Sequence, residues 1–416
     1  MSKTIEFCEA DREKYQTLTM LLELEDLDVV GNEYDDVTDT QFLCCVHRWD
    51  VAVCPHCAHL TDDVHDYPKQ RQIHDAPIRG QKTMLLFDSR RFNCKRCKKQ
   101  FTPPVRDVVP ECTYTYRLEA EIGDPSRKQD VGTIAQLYGV GYKLVERIIL
   151  QGGEKKENER RKAPLSIVHL GIDELSQKKG HGNYVLVLTD LKRRIVIDVL
   201  QDRRKQTLIN WLKNPPEGIK LDQLAYVATD LWTHYRDGVH AVFPHVSIVA
   251  DRFHVVQNLH DVIHEERRKA QKEATTDEEK ATLKGLRYLL LKNEQKLTDN
   301  EKERLEQLKN SHPSLYQLCL LRQQLHEWYE LRTIPEFATV SLNRWIETAR
   351  QLGMTSLNRF CQTLKSWQTE IVNFFDHRIT SGFVEGMNSK IRVLKRIAFG
   401  IPNFDHFRLR VLGFCG

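Results

Sequence analysis

The sequence predicts a multidomain α+β protein: a zinc-binding ribbon, a helix-turn-helix, and a mixed-sheet domain broken by a helical insertion. Three observations predict this order. Two Cys-x-x-Cys pairs stand about 36 residues apart in the first quarter of the chain. Two short amphipathic stretches hinged on glycine follow at 131–150. From residue 165, Val/Ile/Leu-rich runs give way to long charged helical patterns and close on a basic amphipathic helix.

At 416 residues the chain has room for two to four domains of ~100–200 residues each. Its 62 Lys+Arg against 58 Asp+Glu leave a net charge of only +4, which alone points away from a polyanionic partner. The distribution reverses that reading. Residues 1–40 hold twelve acids and three bases, whereas residues 89–106 hold seven Lys/Arg and no acid, and residues 387–416 hold six Lys/Arg and one acid. Such basic clusters suit phosphate binding, because each cation releases condensed counterions. A solvated basic face is the competing reading. A hydrophobic content of 40% with 29% charged residues fits an ordered globular chain. No apolar run approaches the ~20 residues of a membrane span. The start, MSKTIEFCEA, lacks the apolar core of a signal peptide. The expectation is a cytoplasmic protein, not attached to a membrane, whose eleven cysteines are mostly reduced.

Residues 1–43 form an acidic segment, in which MLLELEDLDVV reads as a short strand or helix packing on a basic neighbour. Residues 44–112 carry the ribbon. Cys54-Pro-His-Cys57 and Cys94-Lys-Arg-Cys97 each offer two thiolates, and four thiolates close a tetrahedral structural zinc site. Lys82–Phe87 and Arg90–Phe92 read as strands leading into the second pair. Disulfides are the rival, disfavoured by the compartment. Cys44, Cys45, His47, His56 and His59 lie close by, so that Cys44 or His59 replacing one ligand stays open. Cys8, Cys112, Cys319, Cys361 and Cys415 read as small buried hydrophobes.

In residues 113–151, Ile134, Ala135, Leu137 and Tyr138 fit one helix, Gly139-Val140-Gly141 a turn, and Leu144, Val145, Ile148 and Ile149 a second helix. That is a helix-turn-helix pattern, shared by any helical hairpin. Lys143 and Arg147 on the second helix are candidate DNA contacts. The charged, glycine-led stretch 152–164, closed by Pro164, reads as a linker.

Residues 165–260 alternate strands and helices: strands at Leu165–Asp173, Tyr184–Asp190, Arg194–Leu200, Leu224–Asp230 and Val246–Asp251, with helices at Thr207–Lys213 and Tyr235–Phe243. Three of these strands end in an acid: Asp173, Asp230 and Asp251. Ligand groups collect at the carboxyl ends of strands in such sheets. Three acids there suggest a hard-cation site built from oxygen ligands, against the alternative of solvated loop acids. Asp190 instead reads as a hairpin-turn residue. Residues 261–375 form the helical insertion, with a capping box at Thr298–Glu301 and a core stripe of Leu315, Leu318, Leu321, Leu325 and Trp328. Residues 376–416 begin with Thr380 or Ser381 as a helix cap. Val384, Met387, Ile391 and Leu394 form the apolar face, with Glu385, Asn388, Arg392 and Arg396 on a neighbouring one. A lone acid on a basic face suits a metal-bound phosphodiester; the alternative is an intrahelical Glu–Arg pair.

These segments together resemble bacterial insertion-sequence transposases of the ISL-three family. The resemblance runs from about residue 50 to the end, through the Cys-x-x-Cys ribbon, the helix-turn-helix, GIDELSQKKGHGNY, VATDLWTHY, VADRFHVV and GFVEGMNSKIRVLKRIAFGIPNF. It implies a ribonuclease-H-like, retroviral-integrase-like D-D-E catalytic domain with a helical insertion before the last acid. Asp173 matches the first acid and Glu385 the last. In such a fold the middle acid follows the fourth strand, which selects Asp230, with Asp251 as the alternative. Asp251-Arg-Phe-His254 then matches an Asp/Cys-x-x-His motif of related families, with His254 as an accessory group. The resemblance further implies two Mg²⁺ (or Mn²⁺) ions on Asp173, Asp230 and Glu385, one structural Zn²⁺ on the four cysteines, and phosphate contacts from Arg392, Lys395 and Arg396. The implied partners are double-stranded DNA, as element ends and target, and a second copy of the chain on DNA. The implied setting is the bacterial cytoplasm and nucleoid. The competing classes are a zinc-dependent DNA-binding regulator with an inactive domain, and a structure-specific nuclease of the same fold. The acidic N-terminal stretch has no match in the family pattern.

Overall fold

A computed structural model describes residues 9–124, 129–176, 184–292, 294–378, 382–398 and 400–416. The chain divides into two units, Met1–Lys155 with Leu394–Phe414, and Lys156–Val393 with Cys415–Gly416. Among the described residues, no helix is long and apolar enough to cross a membrane.

In the first unit, a helix at Glu9–Leu21 leads into strands Leu27–Asp35 and Thr40–His47. These join Gln81–Asp88 and Gln70–Ile78 in a four-stranded sheet, in that spatial order after the first two; the Thr40–His47 and Gln81–Asp88 strands run parallel. Leu27, Val29, Leu43, Ile73, Leu85 and Phe87 fill its core. The acidic stretch is therefore part of this sheet, and the boundary expected at 43/44 falls inside the Thr40–His47 strand. Its acids find their cations nearby: Arg106 meets Asp26 at 2.6 Å and Glu25 at 2.8 Å, and Arg48 meets Asp28 at 2.9 Å. The ribbon extends from the same unit as a hairpin, Ala52–Val53 with Leu60–Thr61, and a three-stranded sheet of Val64–Asp66, Arg91–Asn93 and Gln100–Phe101.

The glycine-hinged helices form as the pattern predicts. Asp130 caps Val131–Tyr138 by accepting from Thr133 N, and Gly139 ends it in the left-handed region at φ 65°. Tyr114, Leu118, Ile122, Val131, Ile134, Tyr138, Val145 and Ile148 pack between the helices. The next helix, Tyr142–Lys162, replaces the irregular linker expected at 152–164, although the division between the two units, at Lys155 and Lys156, falls inside that stretch. Its Lys/Glu/Arg-rich sequence favours helix. Gly153 also has a packing reason, since a Cβ there would stand 2.2 Å from the Leu409 carbonyl oxygen of the Phe404–Cys415 helix. Glycine read as flexibility was in fact close helix approach.

In the second unit, five strands lie in the order Ile195–Leu200, Tyr184–Asp190, His169–Ser176, Tyr226–Thr229, Ser247–Ala250. The first three run antiparallel to their neighbours; the last two run parallel to His169–Ser176. Their near-continuous apolar runs are buried, as strands covered on both faces require. Helices Lys205–Lys213 and Thr233–His240 cover one face through Leu208, Trp211, Leu212, Tyr235 and Val239. Asp190 accepts from the backbone N–H of Lys192 and Arg193, as its turn position suggested. The described residues from 251 to 378 form a helical body in the same unit, whose core also takes in Val249 and Ala250 of the last strand. Its first helix, Arg252–Glu273, starts before the expected 260/261 boundary. Its core includes Leu315, Leu318, Leu321, Leu325 and Trp328. The capping box at Thr298 is present, with Glu301 reaching back to the Thr298 backbone.

Candidate active site and zinc centre

The zinc ligands come together through two copies of one turn. In each, the backbone N–H four residues after the first cysteine returns to that cysteine's carbonyl: Ala58 to Cys54, and Lys98 to Cys94, both at 2.9 Å. Ala58 and Lys98 both adopt a left-handed conformation, at φ 56° and 59°. Cys54 Sγ lies 3.6 Å from Cys97 Sγ, and Cys57 Sγ 3.5 Å from Cys94 Sγ. All four sulfurs fall within 4.8 Å of one another. The Cys97 backbone N–H helps pull Cys94 down to about 6, while Cys57 rises to about 11 because desolvation and the neighbouring sulfurs outweigh the His59 N–H that favours its thiolate. Four such thiols cannot all ionise without a cation between them, so the quartet fits a structural zinc. Cys44 and Cys45 are buried in the sheet as free thiols, and neither they nor His59 belong to the quartet. Cys361 and Cys415 are buried; Cys112 and Cys319 are half-buried. Cys8 lies outside the described residues.

The second site is set by strand register. Ile172, Thr229 and Ala250 are mutual neighbours across three adjacent parallel strands. The next residue along each is Asp173, Asp230 and Asp251, so three acids stand at one level. Asp230 and Asp251 follow the ends of their strands. Asp173 instead lies inside His169–Ser176, which runs past the end expected at 173 because it stays paired with Tyr184–Asp190. Asp173 accepts at Oδ1 from Glu174 N and at Oδ2 from Asn388 Nδ2, both at 2.7 Å. Asp251 is buried and caps the Arg252–Glu273 helix, accepting from Phe253 N at 2.9 Å. His254 stands between two acids, 3.9 Å from Asp173 Oδ1 and 3.6 Å from Asp251 Oδ2. Burial pushes Asp230 up to about 7 against the pull of His254, with Glu174 and Asp173 adding to the rise. Burial raises Asp173 as well. Among the described residues, only the cysteine quartet gathers three or more Cys, His, Asp or Glu ligand atoms within 4.8 Å; the acids stand further apart.

Glu385 is exposed on the helix Gly382–Ile397. The expected apolar face is present, with Val384, Met387, Ile391 and Leu394 all buried. Asn388 departs from the polar face expected for it: it is 2% exposed and turned onto Asp173. Gly171 lets this helix approach the strand, since a Cβ there would stand 3.2 Å from Val384 Cγ2 and 2.3 Å from Thr189 Oγ1. The expected caps Thr380 and Ser381 lie outside the described residues. Arg392 and Arg396 are exposed and Lys395 is half-buried. Lys143 and Arg147 are exposed on Tyr142–Lys162.

Sequence reasoning missed a supporting group. Glu174, on the opposite side of the strand from Asp173, accepts from Tyr235 Oη and from Arg203 Nη1, each at 2.7 Å. Arg203 lies over the Tyr184 ring at 4.1 Å and the Trp232 ring at 4.9 Å. Burial, then the Glu174 contact, drives the Tyr235 hydroxyl pKa upward. Alternation along GIDE placed Glu174 opposite Asp173; no local signal placed Arg203 beside it.

Fold and sites thus define a zinc-ribbon protein with a mixed α/β domain edged by carboxylates. A family model described as a transposase, of the DDE ISL3 type, matches residues 170–411. A second, described as the zinc-finger of transposase IS204/IS1001/IS1096/IS1165, matches residues 50–97. The chain belongs to this transposase family. It is similar to the transposase for insertion sequence element IS1001 of Bordetella parapertussis, at 28% identity over 87% of this chain and 88% of that one. It is also similar to the transposase for insertion sequence element IS1557 of Mycobacterium tuberculosis, at 28% identity over 56% of each chain.

Proposed function

We propose that the protein binds the terminal repeats of an insertion sequence and cuts and rejoins DNA at a D-D-E site of Asp173, Asp230 and Glu385. The observation that carries this reading is the alignment of Asp173 and Asp230 on adjacent parallel strands, next to the helix that bears Glu385. The strand order supports a ribonuclease-H-like domain. The capping role of Asp251 favours Asp230 as the middle acid, because a cap spends one carboxylate oxygen on backbone N–H.

The donor set fits Mg²⁺ or Mn²⁺: hard oxygen ligands, with two half-buried carboxyls on adjacent strands whose charged form desolvation disfavours. When bound, two such ions on Asp173, Asp230 and Glu385 would supply Lewis-acid stabilisation of the scissile phosphate and a more acidic attacking hydroxyl. The chain's own groups do the positioning. Asn388 fixes the Asp173 carboxylate through one oxygen. His254, between Asp173 and Asp251, orients the edge. Arg392, Lys395 and Arg396 hold phosphates. The helices Val131–Tyr138 and Tyr142–Lys162 act as a helix-turn-helix, with Lys143 and Arg147 on the repeat, beside the zinc ribbon. Bringing two ends together calls for at least a dimer on DNA, in the cytoplasm at the nucleoid.

The test is end cleavage and strand transfer in Mg²⁺ with Asp173→Asn, Asp230→Asn, Asp251→Asn and Glu385→Gln. Losses of at least about 100-fold are expected at Asp173, Asp230 and Glu385, with a smaller one at Asp251. Cleavage retained by the Asp230 or Glu385 variant would remove the triad; cutting without joining would make the protein a nuclease.

A further inference from the structure

The helical body carries cations that the proposed reaction does not use. His260, His264 and Arg267 recur at helical spacing on Arg252–Glu273, so they share one face. Residues of two other helices join them. His260 senses Arg322 and His326 of Pro313–Glu330, and His264 senses Arg267, Arg268 and Arg287, the last from Leu286–Leu289. Burial, then Arg322, lowers His260 to about 4; burial, then Arg268 and Arg287, lowers Arg267. The charge of the strip therefore lies on Arg267, Arg268, Arg287 and Arg322, gathered around histidines whose charged form is disfavoured.

Among the described residues, Arg267, Arg268, Arg287 and Arg322 form no salt bridge. Arg267 Nη1 bonds to Gln271 Oε1 at 2.6 Å, Arg268 Nε to the His264 carbonyl at 3.2 Å, and Arg322 Nη2 to the Lys292 carbonyl at 2.8 Å, all neutral acceptors. Asp261 supplies the negative charge that both histidines sense and also accepts from Gln257. Glu265 and Glu266 are engaged by Lys269. His260 Nε2, His264 Nδ1, Arg267 Nε and Arg322 Nε are all buried without a hydrogen-bond partner. Unmet buried polar atoms are costly and cannot themselves touch a ligand. What a ligand can meet is the outer part of half-buried Arg267 and Arg322, beside exposed Arg268. Exposed Arg287 and Tyr288 extend the strip into solvent.

We propose that this strip is a further DNA-binding surface that grips the phosphodiester backbone of duplex DNA without reading its sequence. The proposal rests on the DNA-transposition reading above. His260 lies nine residues along the helix that Asp251 caps, about 13 Å from the acid edge at 1.5 Å per residue, so the strip would hold duplex flanking the reacting phosphate. Phosphate oxygens supply acceptors and negative charge together, which a single protein carboxylate does not.

The test uses the full chain with Arg267→Gln/Arg287→Gln/Arg322→Gln combined, and with the exposed Arg287→Glu alone in case the triple variant fails to fold. Affinity is measured by fluorescence anisotropy on an element-end duplex and on an unrelated duplex across a range of salt. The triple variant is expected to bind both about tenfold more weakly, and the slope of log K against log salt to fall by roughly one to two. Arg287→Glu is expected to weaken both by roughly threefold. Unchanged affinity and slope in a variant whose parent binds DNA would overturn the strip alone, as would a loss confined to one duplex. Failure of the parent to bind either duplex would overturn the DNA reading itself.

Discussion

Asp230 is raised to about 7 because it is buried and Glu174 and Asp173 stand near it. A carboxyl that ionises near 3.8 when unfolded and near 7 when folded binds more protons in the native state across that interval. Stability of the metal-free protein should therefore fall as pH rises from about 4 to about 7. Thermal melts across that range should show the decline, added Mg²⁺ should reduce it, and Asp230→Asn should remove most of it. Asn388 gives a second expectation at this scale. It spends its Nδ2 on Asp173 Oδ2 and leaves its Oδ1 without a partner. Asn388→Ala should weaken Mn²⁺ binding, read by electron paramagnetic resonance, by about 10–100-fold, as losses of groups that orient metal ligands do. DNA affinity in the absence of metal should stay unchanged. The sequence placed Asn388 on a polar face because helical period alone cannot tell a solvated amide from one buried on a strand across 215 residues of chain.

The elements show where pattern sufficed and where it did not. Strands and helices of the mixed sheet followed from apolar runs and turn residues, and the apolar face of the Gly382–Ile397 helix from its 3.6-residue period. Glycine was the weak signal. Gly153 sits in a helix against Leu409, and Gly171 sits in a strand beneath Val384. Local sequence reads Gly153 as part of a linker and gives Gly171 no role within its strand; only their neighbours explain them. Gly171→Ala should force the Gly382–Ile397 helix or Thr189 to shift and cost about 1–3 kcal/mol, measured by chemical unfolding. Helix content by circular dichroism should hold, since the strain falls on packing and not on the helix itself.

For the whole molecule, the near-zero net charge is a sum over parts that neutralise one another within one sheet and parts that do not. The acids at 25–28 are spent on Arg106 and Arg48, and Asp50, Asp66 and Asp62 on Arg90, Arg91 and Lys95, which leaves exposed Arg96, Lys98 and Lys99 and the Gly382–Ile397 helix to face outward. Zinc is expected to hold the ribbon, because the hairpin and three-stranded sheet there bury only a small apolar cluster around the sulfurs. Cys94→Ser/Cys97→Ser should drop zinc from one equivalent to none by atomic absorption and abolish selective binding of element ends. Mn²⁺ binding at the acid edge should persist. Loss of both together would show that the ribbon supports more than itself.

The sequence by itself determined the ribbon's four ligands, the glycine-hinged helices and three acids on neighbouring strands, two of which, Asp230 and Asp251, follow their strand's end. These are local facts: spacing, period and turn chemistry act over a few residues. Tertiary structure alone decided that the acidic stretch is two strands of a sheet, that the expected linker is helix, and that Glu174, Arg203, Tyr235 and Asn388 support the acid edge. Those depend on contacts between residues distant in the chain, whose geometry no local pattern encodes.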